Sequence, residues 1–292
     1  MTEDRTSMVL AVDGGGTRCR LVLDWFDGRV MVEVGPANVT SDFNSAIREI
    51  STGLTKLAEA GDVESETLVA LPAHLALAGI TGPEMAHRVL EALPLAHADV
   101  QDDRRAALQG ALGEADGAIA HCGTGSFIAL RKNGKIRLAG GWGPRLGDEA
   151  SAQWVGMRAL ARTLDAVDGL MSHTALTQAL LAAHGTAAEI VAFAASAPPA
   201  SVGEHAQLVT DHASNGDEAA IGILKSGADE IAIRLRKLEW SAGLPVCLTG
   251  GMAHVYRSYL PQDISDAVVE PNGKPIDGAV ALARRFEKEL AA

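Results

Sequence analysis

A glycine-rich loop that directly follows a strand-like apolar run is the feature that most constrains the fold, and it occurs twice. The first copy is Asp13-Gly14-Gly15-Gly16-Thr17, and the second is Gly123-Thr124-Gly125-Ser126. Each loop leads into a second apolar run, a hairpin turn (Asp27-Gly28 or Asn133-Gly134) and a third run. The repeated order of strand, glycine loop, strand, hairpin and strand predicts two similar α/β lobes.

The rest of the chain supplies helices and two further buried strands. Apolar spacing and capping residues predict helices over 41–61, 83–93, 102–113 and 277–290, and helices dominate from about 147 to 240. The continuous apolar runs at 74–80 and 244–249 are typical of buried strands. No linker or low-complexity segment separates the two halves, and 292 residues suffice for two lobes.

Composition excludes several classes of protein. The net charge of −12 argues against a nucleic-acid surface, which needs a concentrated basic patch. The most apolar stretch, 68–80, is interrupted by Pro72 and His74 and is too short to span a bilayer. Residues 1–8 carry acidic groups and no apolar core, so we expect no secretory leader and a cytoplasmic protein without a membrane partner.

Cysteine and histidine residues show no metal-binding pattern. Cys19, Cys122 and Cys247 are odd in number and unclustered, which argues against disulfides and zinc and favours buried small apolar side chains. Each lies within a few residues of a glycine-rich turn. Among the nine histidines, His121 and His173 are interpreted as parts of the local structure.

The glycine loops favour binding of a phosphate group. Glycine permits positive φ and lets backbone N–H groups approach an anion closely, and a row of such groups forms an anion nest. Asp13 at the strand end can hold Mg²⁺ through water. A third loop, Thr249-Gly250-Gly251-Met252, follows a buried strand and leaves room for a flat ring or a ribose. Neither a Walker A motif nor a Rossmann fingerprint is present, and any single loop is also explained as a turn that needs glycine.

The loops together carry a family resemblance. The order DGGGT, GTGS, LTGG is similar to the phosphate-1, phosphate-2 and adenosine loops of the actin-like ATPase superfamily of sugar kinases, Hsp70 and actin. Residues 123–160 resemble the BadF/BadG/BcrA/BcrD-type family, which includes N-acetylglucosamine kinases. The stretches LALAGI, GLMSHTALTQALL, VCLTGGMA and GDEAAIGILKSGADEI resemble bacterial glucosamine kinases.

The resemblance implies the fold and the nucleotide site. It implies two ribonuclease H-like lobes around a central cleft, each a five-stranded mixed sheet with helices. The expected lobes are residues 1–114 plus 277–292, with the C-terminal helix packing on the first lobe, and residues 115–276. The cofactors implied are ATP and Mg²⁺. The ATP-binding residues implied are Asp13, Gly14, Gly15, Gly16, Thr17, Gly123, Thr124, Gly125, Ser126, Gly250 and Gly251, with Asp13 as the metal ligand.

The resemblance also implies a catalytic base. In the resembling kinases a short strand is followed by Asn/Thr-Asp and by a helix of small residues. Aligned with residues 102–111, this pattern selects Asp103 as the base and puts Asp102 at the Asn/Thr position. An aspartate here is also a normal helix N-cap, which is the favoured interpretation of Asp102. Arg104 and Arg105 depart from the family, which has a small residue after the base. The two cations would lower the pKa of the base or attract phosphate.

The sugar site implied by the resemblance combines Asn38 with the GWG…GDE stretch, Gly141, Trp142, Gly143 and Asp148. Asp148 would bind sugar hydroxyls, and an indole packs on the C–H face of a sugar. Local alternatives exist: Asn38 suits an ordinary loop, Trp142 suits the core, and Glu149 suits the first turn of the following helix.

The function implied is transfer of the ATP γ-phosphoryl to the 6-hydroxyl of glucosamine or N-acetylglucosamine, with glucosamine favoured. The family also implies a possible homodimer and contains ATPases that activate reductases through an iron–sulfur cluster, but these need clustered cysteines, which this chain lacks. Sugar-sensing repressors of the same fold carry a DNA-binding domain before the first loop. Only twelve residues precede Asp13, so we expect no such domain.

Overall fold

The computed structural model describes residues 7–292. Residues 1–6, which contribute to the expectation of no leader, lie outside the described residues. The chain forms two compact units: unit 1 comprises the residues up to Ala115 together with Pro271–Ala292, and unit 2 comprises Asp116–Glu270. The chain re-enters unit 1 at Pro271, six residues before the predicted position 277. The Asn272 N–H already donates to the carbonyl of Ala111, a unit 1 residue, at 2.9 Å.

Unit 1 contains a five-stranded mixed sheet. Its strands are β1 (Val9–Gly14), β2 (Cys19–Trp25), β3 (Gly28–Val34), β4 (Pro72–Leu77) and β5 (His97–Asp102). They lie in the order β3-β2-β1-β4-β5; β1, β2 and β3 form an antiparallel meander, and β4 and β5 are parallel to β1. The predicted strand pair around the first glycine loop is confirmed.

Unit 2 repeats this topology. Its strands are β6 (Gly117–Cys122), β7 (Ser126–Lys132), β8 (Lys135–Gly140), β9 (Val246–Thr249) and β10 (Val268–Val269). The order β10-β9-β6-β7-β8 is equivalent to that of unit 1, with β6, β7 and β8 antiparallel and β9 and β10 parallel to β6. Two mixed five-stranded sheets therefore confirm the predicted fold class.

Thirteen helices lie in the described part of the chain. Those of unit 1 are α1 (Phe43–Gly61), α2 (Ser65–Val69), α3 (Pro83–Ala92), α4 (Asp103–Leu112) and α13 (Pro275–Leu290). Those of unit 2 are α5 (Ala152–Val167), α6 (Ala175–His184), α7 (Ala187–Ser196), α8 (Pro199–Gly203), α9 (His205–Ser214), α10 (Glu218–Lys237), α11 (Ala253–Tyr256) and α12 (Gln262–Ser265). The predicted helix over 41–61 begins at Phe43, because the Asp42 carboxylate caps it by accepting the Ser45 N–H.

The C-terminal helix α13 packs on α4 and on the sheet of unit 1. Val9 and Ala11 of β1 share a buried apolar cluster with Ile276 and Leu282 of α13. The two helix backbones cross closely at two glycines. A Cβ on Gly110 would collide with the Lys274 carbonyl, and one on Gly278 would collide with the Ala106 carbonyl. Gly110 in α4 thus permits the close crossing of the two helices.

The two hairpin turns differ from each other. Asn133 and Gly134 both have positive φ (52° and 71°), as the predicted Asn-Gly turn requires. In the first hairpin, however, Gly28 is the first residue of β3 and pairs with Trp25, so the loop is Phe26-Asp27 and the Asp27-Gly28 prediction is wrong. Gly28 is needed for space, because a Cβ there would lie 2.7 Å from the Trp25 ring.

Among the described residues, no single helix is long and apolar enough to cross a membrane. Only α6 and α7 taken together reach that length and composition, and they are bent by 78°.

Candidate active site

In unit 1 the ends of three parallel strands bring the predicted carboxylates to one edge of the sheet. Gly14 of β1 pairs with Leu77 of β4, which pairs with Asp102 of β5. Asp13, one residue before Gly14, and Asp103, one residue after Asp102, therefore lie at the same edge. This edge carries the first glycine loop and the start of α4.

The first glycine loop is tied to its neighbours by backbone hydrogen bonds. The Gly14 carbonyl accepts the Ala78 N–H at 2.7 Å, and the Gly15 carbonyl accepts the Ala37 N–H at 2.9 Å. None of the three glycines has positive φ, so that part of the prediction is wrong here. Their small size matters instead: a Cβ on Gly14 would lie 2.6 Å from Leu77, while Gly16 has nothing within 4 Å of that position. A ligand can approach the backbone at Gly16.

Asp13 is a suitable Mg²⁺ ligand by its chemistry. Its side chain is 14% exposed, and the nearest cation, Arg20 Nη1, lies 3.6 Å from Oδ2, while Arg20 Nε is bonded to Glu33. Burial raises the pKa of Asp13, and Arg20 and Arg18 oppose that rise. Mg²⁺ takes one or two carboxylates with phosphates and water, so one buried carboxylate beside an open glycine loop fits it. The described residues contain no cluster of three or more His, Cys, Asp or Glu side chains that could hold a metal by themselves.

The predicted base, Asp103, is half-buried in the first turn of α4. Burial, followed by the negative charges of Asp102 and Asp13, raises the pKa of Asp103 to about 7, against the lowering effect of Arg104. A carboxylate with a pKa near neutral pH is suited to accept and release a proton.

Asp102 is the N-cap of α4, as predicted. Its Oδ1 accepts the Arg104 N–H at 3.0 Å. The Arg104 guanidinium also clamps this carboxylate, with Nε 2.6 Å from Oδ1 and Nη2 2.8 Å from Oδ2. Arg104 is thus engaged by Asp102, whereas Arg105 is exposed.

Asn38 lies in a loop that docks beside the end of β4. Its Oδ1 accepts the N–H groups of Thr40 and Ser41, at 3.0 and 3.1 Å. The Thr40 hydroxyl donates to the Gly79 carbonyl at 2.7 Å, and a Cβ on Gly79 would lie 2.6 Å from Asn38 Oδ1. The local-loop interpretation of the Asn38 oxygen is therefore correct. The Asn38 Nδ2 has no hydrogen-bond acceptor in the described part of the chain, so it can donate to an oxygen of a ligand.

In unit 2 the second and third glycine loops contact each other. The Met252 N–H donates to the Cys122 carbonyl at 2.9 Å. Gly250 has φ 88°, and a Cβ there would lie 2.5 Å from the Cys122 carbonyl group, so this glycine admits the neighbouring loop rather than a ligand ring. Gly251 has nothing within 4 Å and leaves open space. Gly123 and Gly125 do not have positive φ; a Cβ on Gly125 would lie 2.9 Å from the Asp148 carboxylate.

The GWG…GDE stretch folds beside the second glycine loop. Trp142 is 62% exposed, so the core interpretation of this side chain is wrong. Gly141 and Gly143 on either side have φ of 76° and 83°. Asp148 is only 6% exposed; its carboxylate accepts the backbone N–H groups of Ser126 and Gly143, and burial raises its pKa. The predicted sugar ligand is thus anchored on the second glycine loop.

Several residues of this cluster were not predicted. Glu149 does not cap α5, since the Ser151 side chain does so by accepting the Trp154 N–H; Glu149 instead pairs with Arg234 of α10 at 2.9 Å. The Tyr256 hydroxyl donates to the Ala150 carbonyl at 2.8 Å. Sequence spacing carries no signal for either contact, because the partners are more than 80 residues apart.

The histidines and cysteines take structural positions. His121 Nδ1 lies 3.1 Å from Thr249 Oγ1, its ring stacks on Phe127, and burial lowers its pKa to about 4. His173 Nδ1 lies 3.2 Å from Thr177 Oγ1. All three cysteines are buried, as predicted, and burial raises the pKa of Cys19 and Cys122 to about 12.

Comparison with known proteins decides the family. The sequence model described as the BadF/BadG/BcrA/BcrD ATPase family matches residues 10–283. The chain belongs to this family. As a member of an ATPase family, it is a protein that uses ATP.

Two similar proteins cover nearly the whole chain, and a third covers about half of it. It is 32% identical over 286 residues to the glucosamine kinase GspK of Vibrio cholerae serotype O1, covering 96% of this chain and 97% of that protein. It is 28% identical over 172 residues to the N-acetylmuramic acid/N-acetylglucosamine kinase of Clostridium acetobutylicum, covering 55% and 54%. A crystal structure from Chromobacterium violaceum, provisionally described as an N-acetylglucosamine kinase, superimposes with a TM-score of 0.83 at 31% identity, covering 95% and 99%. The fold is that of the actin-like ATPases.

Proposed function

We propose that the protein is an ATP-dependent amino-sugar kinase that phosphorylates the 6-hydroxyl of glucosamine or N-acetylglucosamine, with glucosamine favoured. The observation that carries the proposal is the half-buried Asp103, whose pKa is raised to about 7 at the strand edge that also holds Asp13 and the first glycine loop. A relative matched over 96% of this chain is named a glucosamine kinase, which supports the preference for that sugar.

Each group of residues has a distinct role in the proposed reaction. Asp103 accepts the proton of the attacking hydroxyl as the bond to phosphorus forms, the role that a carboxylate plays in phosphoryl transfer. Asp13 would hold the Mg²⁺, which neutralises charge on the transferring phosphate when bound. Backbone N–H groups of residues 14–17 and 123–126 contact the phosphates, and the open space at Gly251 receives the adenosine.

The residues proposed to bind the sugar keep hydrogen-bonding groups that can contact sugar hydroxyls. The Asp148 carboxylate offers about four acceptor positions, of which two are taken by the N–H groups of Ser126 and Gly143. Asn38 keeps its Nδ2 as a donor while its oxygen holds the loop. The exposed Trp142 presents an apolar face on which a sugar ring can stack.

The competing function is an ATPase that activates a reductase through an iron–sulfur cluster. Such a cluster needs several thiolates at one place. Cys19, Cys122 and Cys247 lie buried on β2, β6 and β9, and burial raises the pKa of Cys19 and Cys122 to about 12 and that of Cys247 to about 11. A visible absorption spectrum of anaerobically purified protein tests this: a brown, iron-containing protein would favour the activator.

The kinase proposal is tested by coupled ADP release with Mg²⁺–ATP and glucosamine, N-acetylglucosamine, glucose or no sugar. We expect one amino sugar to exceed glucose at least 100-fold in kcat/KM, about 3 kcal/mol of transition-state discrimination. ³¹P–¹H coupling in the product identifies the phosphorylated hydroxyl. Asp103→Asn should lower kcat at least 100-fold while the Kd for ATP changes less than twofold. Sugar-independent ADP release would contradict the proposal.

A further inference from the structure

The segment that carries Asp148 has an unusual backbone conformation. Asp148 and Ala150 have φ of 59° and 69°, and neither is glycine. A non-glycine residue in the left-handed region costs free energy, and two such residues flank Glu149. A conformation of this kind persists only where surrounding contacts impose it.

Five contacts impose it, and they come from four residues of unit 2. The Ser126 hydroxyl donates to the Glu149 carbonyl at 2.6 Å, and the N–H groups of Ser126 and Gly143 donate to the Asp148 carboxylate. Arg234 Nη2 of α10 lies 2.9 Å from Glu149 Oε2, and the same guanidinium pairs with Glu230. The Tyr256 hydroxyl of α11 donates to the Ala150 carbonyl.

Two of these contacts start from α11 and α10, and α11 directly follows the third glycine loop. Tyr256 lies four residues after Met252, whose N–H is bonded to Cys122 at the edge of the second glycine loop. Its ring is fully buried and packs on α10, where a Cβ on Gly227 would lie 2.6 Å away. Arg234 stands on the same helix. Tyr256 thus connects α11 to the Ala150 carbonyl, and Arg234 connects α10 to the Glu149 side chain.

We propose that Glu149, Arg234 and Tyr256 are positioning residues that hold Asp148 in its sugar-binding place and couple amino-sugar binding to nucleotide binding. Glu149 acts through its ion pair and Tyr256 through its hydroxyl; neither touches the substrate. This inference rests on the proposed function, because it assigns Asp148 to the sugar and the loops around Cys122 and Met252 to the nucleotide.

The first test is Tyr256→Phe, which removes one hydroxyl and keeps the ring packed on α10. Tyr259→Phe is the matched control, since the Tyr259 N–H donates to the Tyr256 carbonyl at 2.8 Å and its ring packs on the same core. We expect Tyr256→Phe to raise the KM for the amino sugar five- to twentyfold, while the Kd for ATP measured without sugar changes less than twofold. Calorimetry should show that an ATP analogue tightens sugar binding in the wild type and in Tyr259→Phe, and does so at most half as strongly in Tyr256→Phe.

The ion pair is tested separately with Glu149→Gln, Arg234→Met and the double variant. If the two side chains act only on each other, the double variant should resemble the single ones in sugar KM, and Arg234→Lys should restore part of the loss.

The outcomes distinguish this inference from the function on which it rests. If the wild type phosphorylates an amino sugar and Tyr256→Phe and Arg234→Met lose only thermal stability, with sugar KM and coupling unchanged, the positioning role is overturned and the function stands. If the wild type shows no sugar-dependent ADP release, the proposed function fails and this inference fails with it.

Discussion

At the scale of single residues, the charges around Asp103 determine how the proposed base works. Burial is the largest cause of the raised pKa of Asp103, the negative charges of Asp102 and Asp13 raise it further, and Arg104 opposes these effects. Arg104 is held by both oxygens of Asp102, at 2.6 and 2.8 Å, in the bidentate geometry of a strong charge-assisted pair. Arg104, one of the two arginines that depart from the family pattern, is thus explained as the partner of Asp102. The pKa of Asp103 therefore stays near 7 although an arginine is its neighbour in sequence.

This arrangement predicts the pH dependence of the reaction. The base works in its ionised form, so kcat/KM should fall as the pH falls through about 7. Asp102→Asn removes a like charge and releases Arg104, and both changes lower the pKa of Asp103. The acidic limb of the pH–rate profile should therefore move to lower pH by about 1 unit. Asparagine is an equally good N-cap, so helix α4 should keep its stability.

The matched control for this profile is Arg105→Gln. Arg105 is exposed on the same turn of α4, so its removal should leave the acidic limb within about 0.2 units of the wild type because solvent screens its charge. An acidic limb that stays in place in Asp102→Asn would show that the charge of Asp102 does not set the pKa of the base.

At the scale of secondary-structure elements, the crossing of α4 and α13 depends on two glycines. A Cβ at Gly278 would meet the backbone of Ala106 and Gly110, which cannot move aside as a side chain can. We expect Gly278→Ala to lower the free energy of unfolding by about 2 kcal/mol or more, since overpacking forces the helices apart. Denaturant unfolding followed by circular dichroism measures the change.

Gly222→Ala provides the control for that substitution. Gly222 lies within α10 and has nothing within 4 Å of its Cβ position. Alanine there should raise stability by about 0.5–1 kcal/mol, because it restricts the unfolded chain and adds no clash. Equal effects at Gly278 and Gly222 would mean that helix propensity, and not the crossing, explains the glycine of α13.

The same scale shows what the sequence could and could not predict. Elements with local signals were found: the Asn133-Gly134 turn, the Asp42 cap and the apolar β4. β5 was not found from its pattern, because its sequence HADVQD is polar and it lies at the edge of the sheet, and β10 has only two residues. The prediction of positive φ at Gly14–Gly16 was wrong, because the spacing of glycines does not show whether a loop needs positive φ or needs space beside its backbone.

The candidate site divides in the same way. The two glycine loops that we propose to bind phosphate and the proposed base Asp103 follow from motifs that are contiguous in sequence, and the structure places Asp13 and Asp103 at one sheet edge. The anchoring of Asp148 and the pairing of Glu149 with Arg234 depend on tertiary contacts between distant segments, for which a single sequence has no local signal.

At the scale of the whole molecule, unit 1 is built from both ends of the chain, and unit 2 is the continuous segment between them. The helix α13 covers the sheet face formed by Val9, Ala11, Val22 and Ala76. It is also fixed by ion pairs: Arg284 lies 2.9 Å from Asp24, and Asp277 lies 2.7 Å from Arg29. Unit 1 therefore has no complete core until the last residues of the chain are in place.

Removal of residues 271–292 should therefore unfold unit 1 selectively. Hydrogen exchange measured by mass spectrometry should show that amides of β1 and β4 lose protection by at least 100-fold, because the apolar face beneath α13 becomes exposed to water. Strands β6 and β7 belong to a core that contains no residues of 271–292, so their amides should keep most of their protection. Removal of Ala291 and Ala292 alone, beyond the end of α13, should change neither. Retained protection in β1 and β4 would mean that the sheet of unit 1 is stable without its C-terminal helix, and equal loss in both sheets would mean that the two units unfold as one.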